Sequence, residues 1–220
     1  YVSIPFCRTR CAYCSFPGEA VGKGKLITPY LDALLWELEE AEKLFCQAKL
    51  GLRAVYVGGG TPTALNAKQL ERVIAAAQRE FPESIEWTCE AGRPDTIDRD
   101  KLNVLLSAGI TRISINPQTL CDDTLELIGR RHTTKETIEA YELARGMGFT
   151  DINMDLIAAL PGEDMDTFEK SMAGVCELAP DSVTVHTLAI KRASKLHEKN
   201  YTQVGADTAG RMVEQARDMA

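Results

Sequence analysis

Cys7, Cys11 and Cys14 fall in the run Ile4-Pro5-Phe6-Cys7-Arg8-Thr9-Arg10-Cys11-Ala12-Tyr13-Cys14-Ser15-Phe16, a C-x3-C-x2-C spacing. Thiolate sulfur is the soft ligand that iron–sulfur clusters require. Three thiolates on one short loop can hold three irons of a [4Fe–4S] cluster, leaving the fourth without a protein ligand and open to a bound molecule. Zinc is the rival. It calls for a fourth ligand, commonly from a second C-x2-C pair or from histidines, and His132, His186 and His197 are not spaced to supply one. The remaining cysteines carry no such pattern. Cys89 and Cys176 sit at apolar positions, where cysteine behaves as a small hydrophobe, and Cys46 and Cys121 read as equally bland.

A second chemical signal is Gly58-Gly59-Gly60-Thr61-Pro62-Thr63. Glycines after a strand let backbone groups approach a ligand closely, and Thr61 adds a hydroxyl. The G-K-[ST] ending of a phosphate loop is missing. A glycine run alone is a weak signal, but it gains weight at the sheet end that carries the cysteine loop.

These loops need elements to hold them. β-Rich runs at 1–6, 53–58, 85–91, 112–116, 151–156 and 182–188 alternate with helical patterns. Thr28-Pro29 reads as an N-cap and first helical residue ahead of Leu31, Leu34, Leu35 and Leu38. Asn66 opens the next helix, with Leu70, Val73, Ile74 and Ala77 on one face. Leu102, Leu105 and Leu106 mark a third, closed by Gly109. Thr133 and Glu136 form a capping box for a fourth that ends at Gly148. Phe168, Met172, Val175, Cys176 and Ala179 mark a fifth, and a sixth runs from about Ala206 to the end.

Strict β–α alternation predicts a parallel sheet. In a doubly wound sheet both strand faces are apolar. Here Glu86, Thr88 and Glu90 alternate with Ile85, Trp87 and Cys89, and Ser114 and Asn116 with Ile113 and Ile115. Asn153 and Asp155 alternate with Ile152, Met154 and Leu156, and Thr184 and His186 with Val183 and Val185. One face packs on helices and the other faces a wet or ligand-filled space. A closed eight-stranded barrel normally fills its interior with branched apolar side chains. The predicted fold is therefore α/β, a (β/α)6 partial TIM barrel with a curved parallel sheet and helices outside.

The bulk numbers agree. The 220 residues suffice for one large domain, and 45% hydrophobic residues suffice for a full core. A net charge of −7 argues against nucleic acid as a partner. No apolar run reaches membrane-spanning length. Seven cysteines, an odd count with three clustered, do not form a secreted disulfide framework; a reducing cytoplasm fits better. The chain opens at Tyr1, already in a strand-like run, and stops at Ala220 inside a helical pattern. The expectation is a single domain over 1–220 excised from a longer protein.

On its cysteine run and glycine turn, the chain resembles radical S-adenosylmethionine (SAM) enzymes. Further runs resemble the oxygen-independent coproporphyrinogen III oxidase group: Tyr1-Val2-Ser3-Ile4-Pro5-Phe6-Cys7, Tyr56-Val57-Gly58-Gly59-Gly60-Thr61-Pro62-Thr63, Glu90-Ala91-Gly92-Arg93-Pro94, Ile115-Asn116-Pro117-Gln118-Thr119, Asn153-Met154-Asp155-Leu156-Ile157 and Leu160-Pro161-Gly162. Glu90-Ala91-Gly92-Arg93-Pro94-Asp95, Ile128-Gly129-Arg130-Arg131-His132-Thr133 and Val185-His186-Thr187-Leu188-Ala189 resemble its coproporphyrinogen dehydrogenase (HemZ) branch most.

The resemblance implies a core domain with a [4Fe–4S] cluster on Cys7, Cys11 and Cys14. S-adenosylmethionine chelates the open iron, and one electron, from a donor such as flavodoxin or ferredoxin, releases a 5′-deoxyadenosyl radical. It implies that Gly59, Gly60 and Thr61 receive the methionyl end, and that Glu90 binds the ammonium or ribose hydroxyls. Gln118 and Arg130, with Arg131 as a rival, contact the ribose and carboxylate. Asp155 holds ribose hydroxyls, Phe16 lies against adenine, Tyr1 is near the sulfonium, and Ala189 joins the cofactor contacts. The implied substrate is coproporphyrinogen III. The implied alternative is haem, bound by a chaperone on the same scaffold. The best-characterised oxidases have a further cysteine where this chain has Phe16 and a histidine where it has Ser3. The chaperone branch shares the aromatic but keeps the histidine.

Overall fold

The computed structural model describes residues 1–110 and 112–220. Six strands form one sheet: β1 (Val2–Ile4), β2 (Ala54–Gly59), β3 (Glu86–Gly92), β4 (Arg112–Gln118), β5 (Asp151–Ala158) and β6 (Ser182–Thr187). Their order in the sheet is their order in the chain, and every neighbouring pair is parallel. β1 and β6 are the two edges, so the sheet is an open partial barrel, as the strand faces predict.

The helices are α1 (Ile27–Ala48), α2 (Ala67–Glu80), α3 (Arg99–Ser107), α4 (Asp122–Leu127), α5 (Thr134–Met147), α6 (Met165–Leu178), α7 (Lys195–Glu198) and α8 (Ala206–Met219). Two of the expected start signals operate as full capping boxes. Asn66 accepts from the Gln69 amide while the Gln69 side chain accepts from the Asn66 amide, and Thr133 and Glu136 do the same. Gly148 closes α5 in the left-handed conformation, φ 106°.

The core lies between the sheet and the helices. Ile4, Val57, Cys89, Ile113, Ile115, Ile152 and Met154 are buried on the outer strand face against Leu31, Leu70, Ile74, Leu102, Leu105 and Phe168. Each such side chain contributes about 1.5–3 kcal/mol on burial.

The structure corrects the sequence reading at several points. The first strand is Val2–Ile4 rather than 1–6, because Pro5 offers no amide for a ladder and Phe6–Cys7 instead pairs with Glu19–Ala20. Thr28 is not the N-cap of α1. The turn at Gly22 and Gly24 starts the helix earlier, Leu26 occupies the cap without a side-chain bond, and Pro29 falls in the first turn, where its missing N–H costs little. Ile85 precedes β3 and is exposed rather than packed on the helices. The short helices α4 and α7 carry too few turns to show a periodicity.

The inner strand face is polar, and its middle is tied together by hydrogen bonds. Asn153 Nδ2 donates to Ser114 Oγ (2.9 Å) and to Asp155 Oδ1 (2.6 Å), and its Oδ1 accepts from Ser182 (3.0 Å) and Thr184 (2.9 Å). Ser114 in turn donates to Asn116 Oδ1 (2.7 Å). These groups satisfy one another, which is what burial of polar atoms demands. At the C-terminal ends of the strands the inner face opens into a cavity.

Candidate functional site

At that end lies a cavity of about 320 Å³. The cysteine loop forms one wall. It is pinned by Val21 N to Cys7 O (2.8 Å), Ala12 N to Ile128 O (2.8 Å), Leu196 N to Ala12 O (2.9 Å) and the Thr9 hydroxyl to Gly129 O (2.9 Å). Cys7, Cys11 and Cys14 all line the cavity, and all are free thiols. Cys7 Sγ lies 3.5 Å from Thr61 Oγ1. Among the described residues no three His, Cys, Asp or Glu side chains gather around one mononuclear metal position. Thiolates that each bind a different iron need not do so.

The glycine turn explains how this loop comes so close. A methyl group on Gly60 would stand 2.8 Å from Phe6 O and 2.9 Å from Cys7 Sγ. One on Gly59, where φ is 112°, would stand 2.8 Å from Ser3 Oγ and 2.9 Å from Ile4 N. The two glycines thus admit β1 and the cysteine loop, and both still line the cavity with Thr61.

The next strand ends supply the charged groups. Glu90 accepts from the Tyr56 hydroxyl at 2.8 Å, and burial pushes its carboxyl up from the ordinary value. Asp155 is likewise pushed up by burial, against the hydrogen bond from Asn153. Gln118 follows an irregular register in β4 and sits at φ 73°, a conformation that costs a non-glycine residue about 1–3 kcal/mol and concentrates at functional sites. Its Oε1 is buried without a partner. Arg130, at the end of the α4 turn, donates from Nη1 to Asn116 O and from Nη2 to the Tyr13 hydroxyl (3.4 Å), while its Nε has no partner. Arg131 is exposed, so of the two candidate arginines Arg130 is the one at the cavity.

The structure therefore brings together Cys7, Cys11, Cys14, Phe16, Gly59, Gly60, Thr61, Glu90, Gln118, Arg130 and Asp155. Two expected contacts fall outside the lining. Tyr1 is 72% exposed and stacks on Tyr56 with ring centroids 5.8 Å apart. Ala189 is exposed beyond the end of β6. Other lining residues, including Tyr13, Arg93, Asn116, Ile157 and His186, were not among the expected contacts. Tyr13 alone had a local signal, an aromatic between two cysteines of the C-x3-C-x2-C run; burial pushes its phenol up.

The lining fits the expected cofactors. The thiols match a three-cysteine cluster, and unpartnered polar atoms on Gln118 and Arg130 are available to a ligand. Carboxylates and guanidiniums in one cavity match a zwitterion that carries ammonium, sulfonium and carboxylate.

A six-stranded partial barrel with three cysteines and a glycine turn at its open end defines a class. The chain belongs to the radical SAM superfamily, whose profile matches residues 1–173. Its cofactors are a [4Fe–4S] cluster and S-adenosylmethionine. It is 42% identical to the oxygen-independent coproporphyrinogen-III oxidase-like protein HemZ of Bacillus subtilis, over 98% of this chain and 44% of that one. It is 35% identical to the heme chaperone HemW of the same organism, over 87% of this chain and 50% of that one. The coproporphyrinogen III oxidase HemN of Escherichia coli superposes with a TM-score of 0.86 at 27% identity, covering 98% of this chain and 50% of that one. The chain thus spans about half the length of the relatives it matches. Among the described residues, no helix is long and apolar enough to cross a membrane.

Proposed function

We propose that this chain is the radical-generating core of an oxygen-independent coproporphyrinogen III oxidase. The observation that carries this reading is the 42% identity to HemZ across nearly the whole chain. When bound, the cluster and S-adenosylmethionine supply a hydrogen-abstracting radical. Each of two propionate side chains of coproporphyrinogen III loses a hydrogen atom to that radical, then carbon dioxide and one electron to an external electron acceptor, leaving a vinyl group and giving protoporphyrinogen IX.

The protein's own part is binding, orientation and exclusion of water. Cys7, Cys11 and Cys14 hold the cluster. Gly59, Gly60 and Thr61 take the methionyl end of S-adenosylmethionine, and the Glu90 carboxylate takes its ammonium. The planar fork of Arg130 suits the carboxylate, with Gln118 beside it. Asp155, already fixed by Asn153, takes ribose hydroxyls, and Phe16 flanks the adenine. Tyr1 and Ala189, outside the cavity lining, are left without a contact in this assignment.

A second reading is a haem chaperone on the same scaffold. It is favoured by the 35% identity to HemW and by Phe16, the aromatic expected of that branch. Anaerobic incubation of the full-length protein with coproporphyrinogen III, a reductant and S-adenosylmethionine separates the two. The oxidase reading expects vinyl products and consumption of S-adenosylmethionine. Stoichiometric haem binding with no vinyl product would establish the chaperone instead.

A further inference from the structure

Beneath the cysteine loop sits a buried guanidinium that no cofactor contact yet explains. Arg93 is only 2% exposed. Its Nη1 donates to both the carbonyl (3.0 Å) and the hydroxyl (2.6 Å) of Thr9, two residues from Cys7 and two from Cys11. Its Nε donates to Asp95 Oδ1 at 3.1 Å. Nη2 has no partner, and the residue lines the same cavity as the three thiols.

None of the carboxylates that line the cavity, Glu19, Glu90 and Asp155, is bonded to Arg93. Asp95 is the carboxylate that Arg93 meets, and Arg8 also faces it at 3.4 Å. His132 lies 4.0 Å from Asp95, and burial, reinforced by Arg130, lowers its pKa to about 3, so it is neutral. A second buried guanidinium, Arg130, lines the cavity as well. Buried charge is costly unless compensated. A cluster ligated by three thiolates carries net negative charge and becomes more negative on reduction, so it is an electrostatic partner for Arg93, whose Nη2 is otherwise unpartnered in the cavity that the thiols line.

We infer that Arg93 is a positioning and charge-balancing residue for the cluster: it fixes the loop through Thr9 and favours the reduced cluster electrostatically. Cluster potentials respond to net charge and hydrogen bonding around the sulfurs. Removing a nearby positive charge therefore makes the midpoint potential more negative. Removing the Asp95 charge does the opposite.

The test uses full-length protein reconstituted anaerobically with iron and sulfide, without substrate. The reduced cluster is followed by electron paramagnetic resonance during a redox titration, so the result is independent of whether the protein is an oxidase or a chaperone. Arg93→Gln is expected to shift the midpoint to more negative potential, Asp95→Asn to less negative potential, and Arg93→Lys to stay near the wild-type value. Full iron content in Arg93→Gln with an unchanged midpoint overturns the inference, as do Arg93→Gln and Asp95→Asn shifts of the same sign. Should Arg93→Gln fail to hold a cluster, Arg93→Lys decides. A cluster retained there supports the charge role, and an empty site in both variants overturns it.

Discussion

The Tyr56 hydroxyl donates to Glu90 Oε1 at 2.8 Å, joining β2 to a residue of β3 that lines the cavity. Burial raises the Glu90 pKa, and the Tyr56 bond opposes that rise because it favours the charged form. If Glu90 binds the ammonium of S-adenosylmethionine, affinity is full above the raised pKa and falls as pH drops through it. Tyr56→Phe is expected to weaken binding about fivefold, the equivalent of ~1 kcal/mol, and to move the fall to higher pH. Calorimetric titration of reconstituted protein across pH checks both shifts. Unchanged affinity at every pH would remove Glu90 from the ammonium site.

Gly60 and Gly210 make a matched pair of tests. A methyl group on Gly60 meets Phe6 O and Cys7 Sγ below 3 Å, whereas one on Gly210 in α8 meets nothing within 4 Å. Gly60→Ala is expected to cost about 1–3 kcal/mol by overpacking and to lower the iron bound after reconstitution. Gly210→Ala is expected to gain about 0.5–1 kcal/mol with iron content unchanged. Denaturant unfolding and iron analysis read the two effects separately.

Glu163 is buried, accepts a hydrogen bond from Thr119, and has its pKa pushed by burial from 4.5 to about 7. Its folded pKa is raised, so its contribution to stability is fully present below about 4.5 and is lost as pH rises through about 7. Glu163→Gln has no such titration. Relative to that variant, the wild type is expected to lose stability between these two pH values and to hold a constant difference above them. Thermal unfolding at a series of pH values measures it. A difference that does not change with pH would mean that Glu163 has the same pKa in the folded and unfolded protein, which would contradict the raised value.

Much of the fold was legible because its signals are local. Asn66 with Gln69, and Thr133 with Glu136, lie three residues apart and act as the pattern says. The alternation of Ile113 and Ile115 with Ser114 and Asn116 separated the helix face from the inner face before any coordinates. The cysteines and the glycine turn announced the cofactor for the same reason. Thr28 misled because the Gly22 and Gly24 turn, rather than the best capping residue, sets where α1 begins. Arg93 gave no local sign of its role, since its loop partner Thr9 is 84 residues away. The inner face was expected to meet a wet or ligand-filled space, and Glu90, Asn116, Asp155 and His186 do line the cavity, but the sequence does not show that Asn153 gathers Ser114, Ser182 and Thr184 around itself.

The central claim is that one cavity joins a three-cysteine cluster to S-adenosylmethionine. Its most direct test is electron paramagnetic resonance of anaerobically reconstituted, reduced protein with and without S-adenosylmethionine. The account predicts a [4Fe–4S] signal that S-adenosylmethionine perturbs and that is lost in each of Cys7→Ala, Cys11→Ala and Cys14→Ala. A wild-type signal indifferent to S-adenosylmethionine, or one that survives these substitutions unchanged, would contradict it.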